Sequence, residues 1–575
     1  MKQKITTSFY LDILLIGFLI FATILLNLVM IRDGLNGMTD MKWHVTWLQH
    51  FFQQLSEGIL YPRWLAGTNY GYGSPTFVFY PPLVYYIGSL FKFIGFSTEN
   101  TITLLFSLAL FLSGLNFYLL GFKTWGKLPS FVGALFYMST PYLAFDIYYR
   151  SGLASIFIQA WIPLLLLSTQ KTLANPKFSF SLAISWFLIA LTHTPSLLLC
   201  SIVYFLYLIL LLPQKGWKNI FNLLVVTFCG WGMASIYLVP AILEKSFVNI
   251  SSLKNVHGGF RDALIGTSLP LFPLDFTNLL NIPSVFLQQF LAVIVFFAIA
   301  ISKTDRFIKR SAFLWLIVAL ITAFLMTNLS QFIWETSEVL QMVQFPWRFL
   351  QFFSAIGAIM CSLALTNITQ NKLIKKSIIL IFVIVILMFN FRYWYKLSRQ
   401  FITLNYSGKG NTEHLNHIRT ILNSPDRDNL RDVPEYRPLL DNVAANPPQP
   451  SLQQPKLSIL KGKASIELRK WRTYWREFIV NNSTKSTIRI RTYYYPAWQL
   501  YIDDRLSVIN KHTDGTIVFE LQPGRHRVKL IYQKTQAFSI GILFSVLSLI
   551  FLVIYQNILL NITKITYSKL ALFDK

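Results

Sequence analysis

Long apolar runs separated by short polar segments dominate the first two thirds of the chain and return near its end. A membrane-spanning helix needs about 20 mostly apolar residues, and about twelve runs approach that length. They lie near residues 10–31, 100–122, 128–147, 152–170, 178–193, 195–213, 219–241, 284–302, 311–328, 346–366, 373–391 and 536–560. The pattern predicts an α-helical polytopic membrane protein with about twelve transmembrane helices.

One further apolar run, residues 77–96, carries Pro81 and Pro82 near its start. Lys and Arg concentrate in cytoplasmic loops, so the basic residues that follow alternate spans report the topology. These groups fall on one side only if 77–96 does not cross the membrane. We therefore predict that 77–96 is interfacial or re-entrant, that both termini are cytoplasmic and that residues 32–99 form a long first outer loop.

The hydrophobic pattern changes between residues 392 and 535. A loose section rich in Pro and Asn is followed by runs such as ASIEL, FIVNN, STIRIRTYYY, WQLYI and TIVFEL, in which apolar and polar residues alternate. Alternation with a period of two, between turn signals, predicts β-strands. We predict three parts: a transmembrane domain (1–391), an extracytoplasmic domain that is loop-rich and then β-sandwich-like (392–535), and a last helix with a cytoplasmic tail (536–575).

Composition supports a membrane location and changes the meaning of the charge. The chain is 54% hydrophobic and 13% charged, with 50 Phe residues and a net charge of +26. A basic balance can indicate nucleic-acid binding, but basic cytoplasmic loops explain it here, so we expect membrane lipids and no nucleic acid as partners. Cys200, Cys229 and Cys361 lie in apolar runs and do not have the spacing of a zinc or disulfide site.

The first loop contains a segment with chemistry of its own. GMTDMKWHVTWLQHF starts at Gly37 and places Asp40 and His44 on one face of a predicted helix. Trp43, Trp47 and Phe51 can form its apolar side, while Gln49, Gln53 and Glu57 can form a polar one. This pattern predicts an amphipathic helix that lies on the membrane surface.

Several stretches together resemble a known bacterial membrane family. They are GILYPRW (58–64), NYGYGSPTFVFYPPL (69–83), YYRSGLA (148–154), LTHTPSLLL (191–199), LVPAILEK (238–245), VQFPWRFL (343–350) and YYYPAWQLYIDD through LQPGRHRVKLIY (493–532). The chain is similar to the "6-pyruvoyl-tetrahydropterin synthase-related" membrane proteins and to YfhO-like membrane proteins. The resemblance places it in the GT-C superfamily of polytopic glycosyltransferases, and it implies no pterin chemistry.

The resemblance implies a sugar transfer at the outer face of a bacterial inner membrane. The expected donor is a polyprenyl-phosphate sugar, and the expected acceptor is a saccharide, lipid or protein. Two positions depart from the family pattern: Ser155 stands where an acidic residue often follows the RSGLA-like motif, and Arg505 follows Asp504 where glycine is usual. The first departure weakens the case for a second catalytic acid at Ser155.

Asp40 matches the superfamily's first-loop aspartate, so the resemblance implies a catalytic base or an acceptor-orienting group. The alternative is that Asp40 only caps the interfacial helix. His44 is a candidate to bind phosphate, or else a structural histidine. Asp146 is the candidate second catalytic acid with Arg150 as phosphate ligand, although the two residues can simply pair at i,i+4 spacing.

Five further residues are candidates to bind substrate or phosphate. Arg348 lies inside an apolar run, where a buried arginine needs a partner, unless it snorkels to the interface. Arg63 has the same two interpretations, and His193 at a helix junction is either a cap or a ligand. Glu244 and Glu335 are expected either to line the cavity that holds the substrate or to lie in solvent-exposed loops. No residue spacing requires a metal site, and a divalent cation is the only candidate cofactor.

Two other functions fit the same pattern of spans. A transporter or flippase of lipid-linked saccharide would use intramembrane polar residues, but the matched broken helices typical of inverted repeats are not evident. A non-catalytic envelope assembly protein with the same fold is the other alternative, because fold alone is weak evidence of activity. The aromatic first loop and the outer β-domain favour the glycosyltransferase.

Overall fold

The computed structural model describes residues 2–35, 39–266, 282–302, 304–366, 373–406, 432–439 and 454–573. Helices joined by turns and irregular segments make up the described chain as far as residue 406, and a further helix follows residue 535. Their bounds are α1 Lys2–Leu26, α2 Leu28–Asp33, α3 Met41–Ser56, α4 Thr76–Phe79, α5 Leu83–Phe93, α6 Thr98–Gly121, α7 Lys127–Met138, α8 Pro141–Tyr148, α9 Leu153–Ala174, α10 Ser179–Ala190, α11 Thr194–Lys215, α12 Trp217–Met233, α13 Ser235–Leu243, α14 Gly259–Ala263, α15 Ile282–Ile301, α16 Arg306–Met326, α17 Gln331–Glu335, α18 Glu338–Gln341, α19 Leu350–Leu365, α20 Leu373–Tyr406 and α21 Gln536–Phe573. The predicted loop-rich residues 407–431 and 440–453 lie outside the described part.

Eight helices of the described chain are long and apolar enough to cross a membrane, or nine if the bent pair α12–α13 is one span. They are α1, α6, α9, α11, α15, α16, α19 with the 3-10 turn that precedes it, and α21. All twelve predicted runs fall on helices, so the helical class is confirmed. The number of spans differs because several runs form short or broken helices.

The run 128–147 shows why the number differs. It forms α7 and α8, which are separated at Ser139 and Thr140, with Pro141 in the first turn of α8. Proline lacks a backbone N–H and tolerates the first helical turn, so it starts a new helix here. The run 178–193 likewise forms a short helix, α10, which has only 12 residues. A sliding hydropathy window does not register these breaks.

The ambiguous run 77–96 forms two short helices, α4 and α5. The longer one, α5, has 11 residues, and at a rise of 1.5 Å per residue it is about 16 Å long. That is about half the thickness of a bilayer core. Helix α3 precedes them, as predicted from the amphipathic pattern, but its predicted polar residue Gln49 is buried.

The chain after residue 454 forms a β-domain of two antiparallel sheets. The strands are β1 Leu457–Lys461, β2 Ala464–Arg472, β3 Trp475–Asn482, β4 Ser486–Tyr493, β5 Trp498–Ile502, β6 Arg505–Ser507, β7 Asn510–Lys511, β8 Thr516–Leu521 and β9 Gly524–Tyr532. One sheet has the order β1-β4-β8-β7 and the other β2-β3-β9-β5-β6. Phe478 and Phe519, from different sheets, lie 6.3 Å apart between ring centroids, so the inward faces form a sandwich core.

Candidate functional site

Four of the motifs singled out in the sequence meet in one place. We define the polar cluster as Asp40, His44, Asp146, Arg150, His193 and Arg348. Arg150 lies within electrostatic range of Asp40 and Asp146, and Arg348 lies within range of Arg150, Asp40 and Asp146. The cluster therefore joins residues that are more than 300 positions apart in the sequence.

Asp40 stands at the N-cap position of α3, but its side chain makes no capping hydrogen bond. Its backbone N–H donates to the carbonyl of Arg150 at 3.3 Å. Thr39, with φ of 28° in the left-handed region, donates its hydroxyl to the same carbonyl. The backbone of the first loop is thus fixed to the 149–151 turn, and the half-buried Asp40 carboxylate is not used for capping.

His44 lies one turn into α3 and is buried. Its Nδ1 is 2.7 Å from the hydroxyl of Tyr85, and its ring also bonds the backbone of Ser151. Burial, helped by the nearby charge of Arg150, lowers the pKa of His44 to about 3. The imidazole is therefore neutral at physiological pH and links α3, α5 and the turn before α9.

Asp146 and Arg150 form an ion pair at the end of α8. The Arg150 Nη1 atom lies 2.6 Å from Asp146 Oδ1, and the Asp146 side chain is completely buried. Ser155, in the first turn of α9, donates its hydroxyl to the other carboxylate oxygen. The Arg150 guanidinium also stacks on Trp347, 5.0 Å from the ring centroid. The pair is thus held between α8, α9 and the turn before α19.

Arg348 is also buried, but its partners differ from those of Arg150. Its Nη1 donates to the Val343 carbonyl at 2.6 Å, and its guanidinium lies 5.0 Å from the centre of the Phe345 ring. Among the described residues, no acceptor lies within hydrogen-bond distance of its Nε. A buried guanidinium with an unused donor beside a second guanidinium is suited to bind an anion.

His193 is the N-cap residue of α11 and lies within electrostatic range of Arg348 and Arg150. Its Nδ1 is 2.8 Å from the Ser196 hydroxyl, which donates to Gln351 Oε1 at 3.1 Å. This chain joins the beginning of α11 to the beginning of α19. Helices α3, α9, α11 and α19 all begin at the polar cluster, and helix N-termini carry partial positive charge. Their backbone favours an anion at the same place as the two arginines.

Arg63 and Glu244 lie apart from the polar cluster, at the junction between the β-domain and α21. Glu244 accepts hydrogen bonds from Tyr495 and Thr535. The Arg63 guanidinium lies 3.9 Å from the centre of the Phe538 ring and donates to the Gln533 carbonyl at 3.2 Å. We call Arg63, Glu244, Tyr495, Tyr532 and Thr535 the junction cluster. Its contacts attach the β-domain to the helices.

Glu335 lies in neither cluster. Its carboxylate is partly exposed and pairs with Arg261 at 2.8 Å. The described residues contain no group of three or more His, Cys, Asp or Glu side chains arranged to hold a metal ion. Asp40, His44 and Glu244 in particular do not form such a group, so we assign no step to a divalent cation.

Residues 432–439 add carboxylates that the sequence analysis did not single out. Asp432 accepts hydrogen bonds from Trp47 Nε1 at 2.9 Å and from Thr76 at 2.5 Å. Tyr436 stacks on Phe79. Glu435, between them, lies within electrostatic range of Asp40, and burial raises its pKa. The segment has no hydrophobic periodicity, so only its contacts reveal that it covers the first loop.

Comparison with known proteins places these features in a family. A family model described as "6-pyruvoyl-tetrahydropterin synthase related domain; membrane protein" matches residues 77–397, more than half of the chain. A Lactococcus lactis subsp. cremoris (strain MG1363) protein described as "Uncharacterized protein" is 24% identical over 266 residues, which are 44% of this chain and 42% of that protein.

Among the solved structures that resemble the chain is one of low similarity. It is the arabinofuranosyltransferase AftD from Mycobacteria, with a TM-score of 0.45 and 13% identity over 67% of this chain and 27% of that chain. This chain therefore spans less than half the length of either protein. The family match covers α5 to most of α20 and three of the motifs that form the polar cluster. The chain belongs to the family of membrane proteins with a 6-pyruvoyl-tetrahydropterin synthase related domain.

Proposed function

We propose that this protein is an integral-membrane glycosyltransferase that moves a sugar from a polyprenyl-phosphate-linked donor to an acceptor at the outer face of the membrane. One observation carries the proposal: buried Arg150 and Arg348 lie near Asp40 at the beginning of four helices. Guanidinium groups suit a lipid phosphate, and a carboxylate suits an acceptor hydroxyl. The contributing motifs resemble a membrane-protein family that the sequence analysis places in the GT-C superfamily, which supports the same assignment.

The transfer needs one base and one stabilised leaving group. The acceptor hydroxyl gives its proton to the Asp40 carboxylate as its oxygen bonds to the anomeric carbon. The bond between that carbon and the phosphate oxygen breaks, and its electron pair leaves with the polyprenyl phosphate. Arg348, whose Nε is unused among described residues, and Arg150 stabilise the added negative charge.

The other members of the polar cluster hold these groups in position. Asp146 is fully buried and bonded to Arg150 and Ser155, so in this proposal it orients Arg150 rather than taking a proton. His44 is neutral and bonded to Tyr85, which suits a group that fixes α3 beside the turn 149–151. His193 is bonded to Ser196, whose hydroxyl donates to Gln351, so in this proposal it fixes the beginning of α11 against the beginning of α19, the helix that follows Arg348.

The topology proposed from the basic residues fits this chemistry. We infer a bacterial inner membrane, cytoplasmic termini and an extracytoplasmic β-domain. The polar cluster lies where α9 and α11 begin, while Lys171 and Lys215 lie in their last turns. Because basic residues prefer the cytoplasmic side, the cluster would face outward, where the sugar of a lipid-linked donor is presented.

The test is sugar transfer by membranes that contain wild-type protein or Asp40→Asn, with labelled polyprenyl-phosphate sugars as donors. Asp33→Asn is the matched control, since Asp33 also precedes α3 but is paired with exposed Arg32. We expect Asp40→Asn to lose transfer and Asp33→Asn to keep it at equal expression. Equal transfer by Asp40→Asn would overturn the role of Asp40. If the protein moves the lipid-linked donor across the membrane without transferring its sugar, the flippase alternative would replace the proposal.

A further inference from the structure

A cavity lies at the end of the helices opposite the polar cluster. Its volume is about 310 Å³, at the lower end of the range for ligand sites. The last turns of α6, α9 and α11 and the first turns of α16 enclose it. Lys215, Arg310 and Ser311 lie on its polar side, and Leu166, Tyr207 and Trp315 lie on its apolar side.

The polar side of the cavity is cationic. Lys215 is in the last turn of α11 and Arg310 near the start of α16, and both are exposed. The described residues that line the cavity include these two cations and no Asp or Glu. Neither cation makes an ion pair with a described residue. The side-chain amides of Gln170 and Gln214 and the hydroxyl of Ser311 add neutral hydrogen-bonding groups. This composition complements an anion.

The other side of the cavity is apolar and continues along the helices. Leu166, Tyr207 and Trp315 also line a second, narrow space of about 30 Å³. Tyr207 and Trp315 stack with ring centroids 5.2 Å apart. Cys200, Val203 and Phe352 extend this wall toward the polar cluster. The site therefore has a charged mouth and an apolar wall, an arrangement that suits an amphipathic anion better than a free one.

We propose that this cavity binds the phosphate headgroup of an anionic phospholipid from the leaflet at this end, with the first part of one acyl chain along Tyr207 and Trp315. The enclosing helices α6, α9, α11 and α16 are each long enough to span a bilayer, so the cavity mouth lies at the depth of lipid headgroups. A described lining with two cations and no carboxylate favours an anionic headgroup over a zwitterionic one.

The experiment counts lipids retained by the purified full-length protein after incubation with phosphatidylglycerol or phosphatidylcholine, using native mass spectrometry. The test variant is Lys215→Gln with Arg310→Gln. The matched control is Lys218→Gln with Arg306→Gln, which removes two exposed basic residues near the cavity that do not line it. Ser311→Trp is a second test variant, because it fills the polar mouth and keeps both cations.

We expect wild type and the control to retain phosphatidylglycerol in preference to phosphatidylcholine. Both test variants should retain about ten-fold less phosphatidylglycerol, as expected for losing charged hydrogen bonds. Equal retention by all variants, or no preference between the two lipids, would overturn the proposal. If the double variant does not fold, Ser311→Trp decides. None of these residues belongs to the polar cluster, so either outcome leaves the sugar-transfer proposal to its own test.

Discussion

Removing the Asp146 carboxylate should destabilise the protein far more than removing an exposed carboxylate. Asp146 is fully buried and lies 2.6 Å from Arg150, whose side chain is 10% exposed. Asp146→Ala leaves the Arg150 guanidinium buried beside Arg348 without its counter-ion. Removing one partner of a buried pair costs about 3–5 kcal/mol, and Ser155 also loses one of its two hydrogen-bond acceptors.

The double variant Asp146→Leu with Arg150→Met gives the decisive comparison. Replacing both charges with apolar groups of similar size is often neutral for stability, so the double variant should unfold later than Asp146→Ala. Glu467→Ala is the control, because Glu467 pairs with Arg469 at the surface of the β-domain, where such a pair contributes less than about 1 kcal/mol. Unfolding is followed by denaturant titration in mixed micelles. The reasoning fails if Asp146→Ala costs no more than Glu467→Ala.

Three further predictions follow from described contacts. A Cβ at Gly152 would lie 2.7 Å from Asp146 Oδ1 and from Ser155 Oγ, so Gly152→Ala should lower the midpoint temperature of unfolding. Gly17→Ala is the control and should not lower it, because a Cβ there meets nothing within 4 Å. Equal midpoint temperatures would contradict the packing. Glu244→Ala should free the junction cluster and speed tryptic cleavage after exposed Lys534, whereas Glu520→Ala, which only loses a surface pair with Lys485, should leave cleavage unchanged. Burial raises the pKa of the Asp432 carboxyl. Its contribution to folding stability is therefore most favourable below its ordinary pKa and is lost as the pH rises through the raised pKa. Asp432→Asn should gain stability relative to wild type across that pH range, and a difference in unfolding free energy that stays constant with pH would refute this.

The spacing of apolar residues is enough to locate the helices and strands that depend on local sequence. The apolar runs locate the helices, and the alternating runs ASIEL, FIVNN and TIVFEL lie on β2, β3 and β8. Breaks inside a run were missed, since Pro141 continues an apolar stretch while starting a new helix. The pattern of α3 places Gln49 on its polar side, but Gln49 is buried, because a neighbouring element covers it and the pattern of one helix does not indicate its neighbours.

The site shows a similar limit. Residue chemistry and family resemblance selected nine candidates, and six of them form the polar cluster. The separation of Arg63 and Glu244 into the junction cluster depends on Tyr495 and Thr535, more than 200 residues away. Likewise, Glu435 near Asp40 belongs to a segment with no pattern of its own. Contacts between distant polar residues are set by the packing of many helices, and local sequence does not encode them individually.

The most direct measurement is the structure of this protein with a polyprenyl-phosphate sugar bound, using Asp40→Asn to slow turnover. The account predicts that the donor phosphate contacts the Arg348 and Arg150 guanidiniums and that the anomeric carbon faces the side chain at position 40. A donor phosphate bound away from both arginines would contradict the assignment of the polar cluster as the active site.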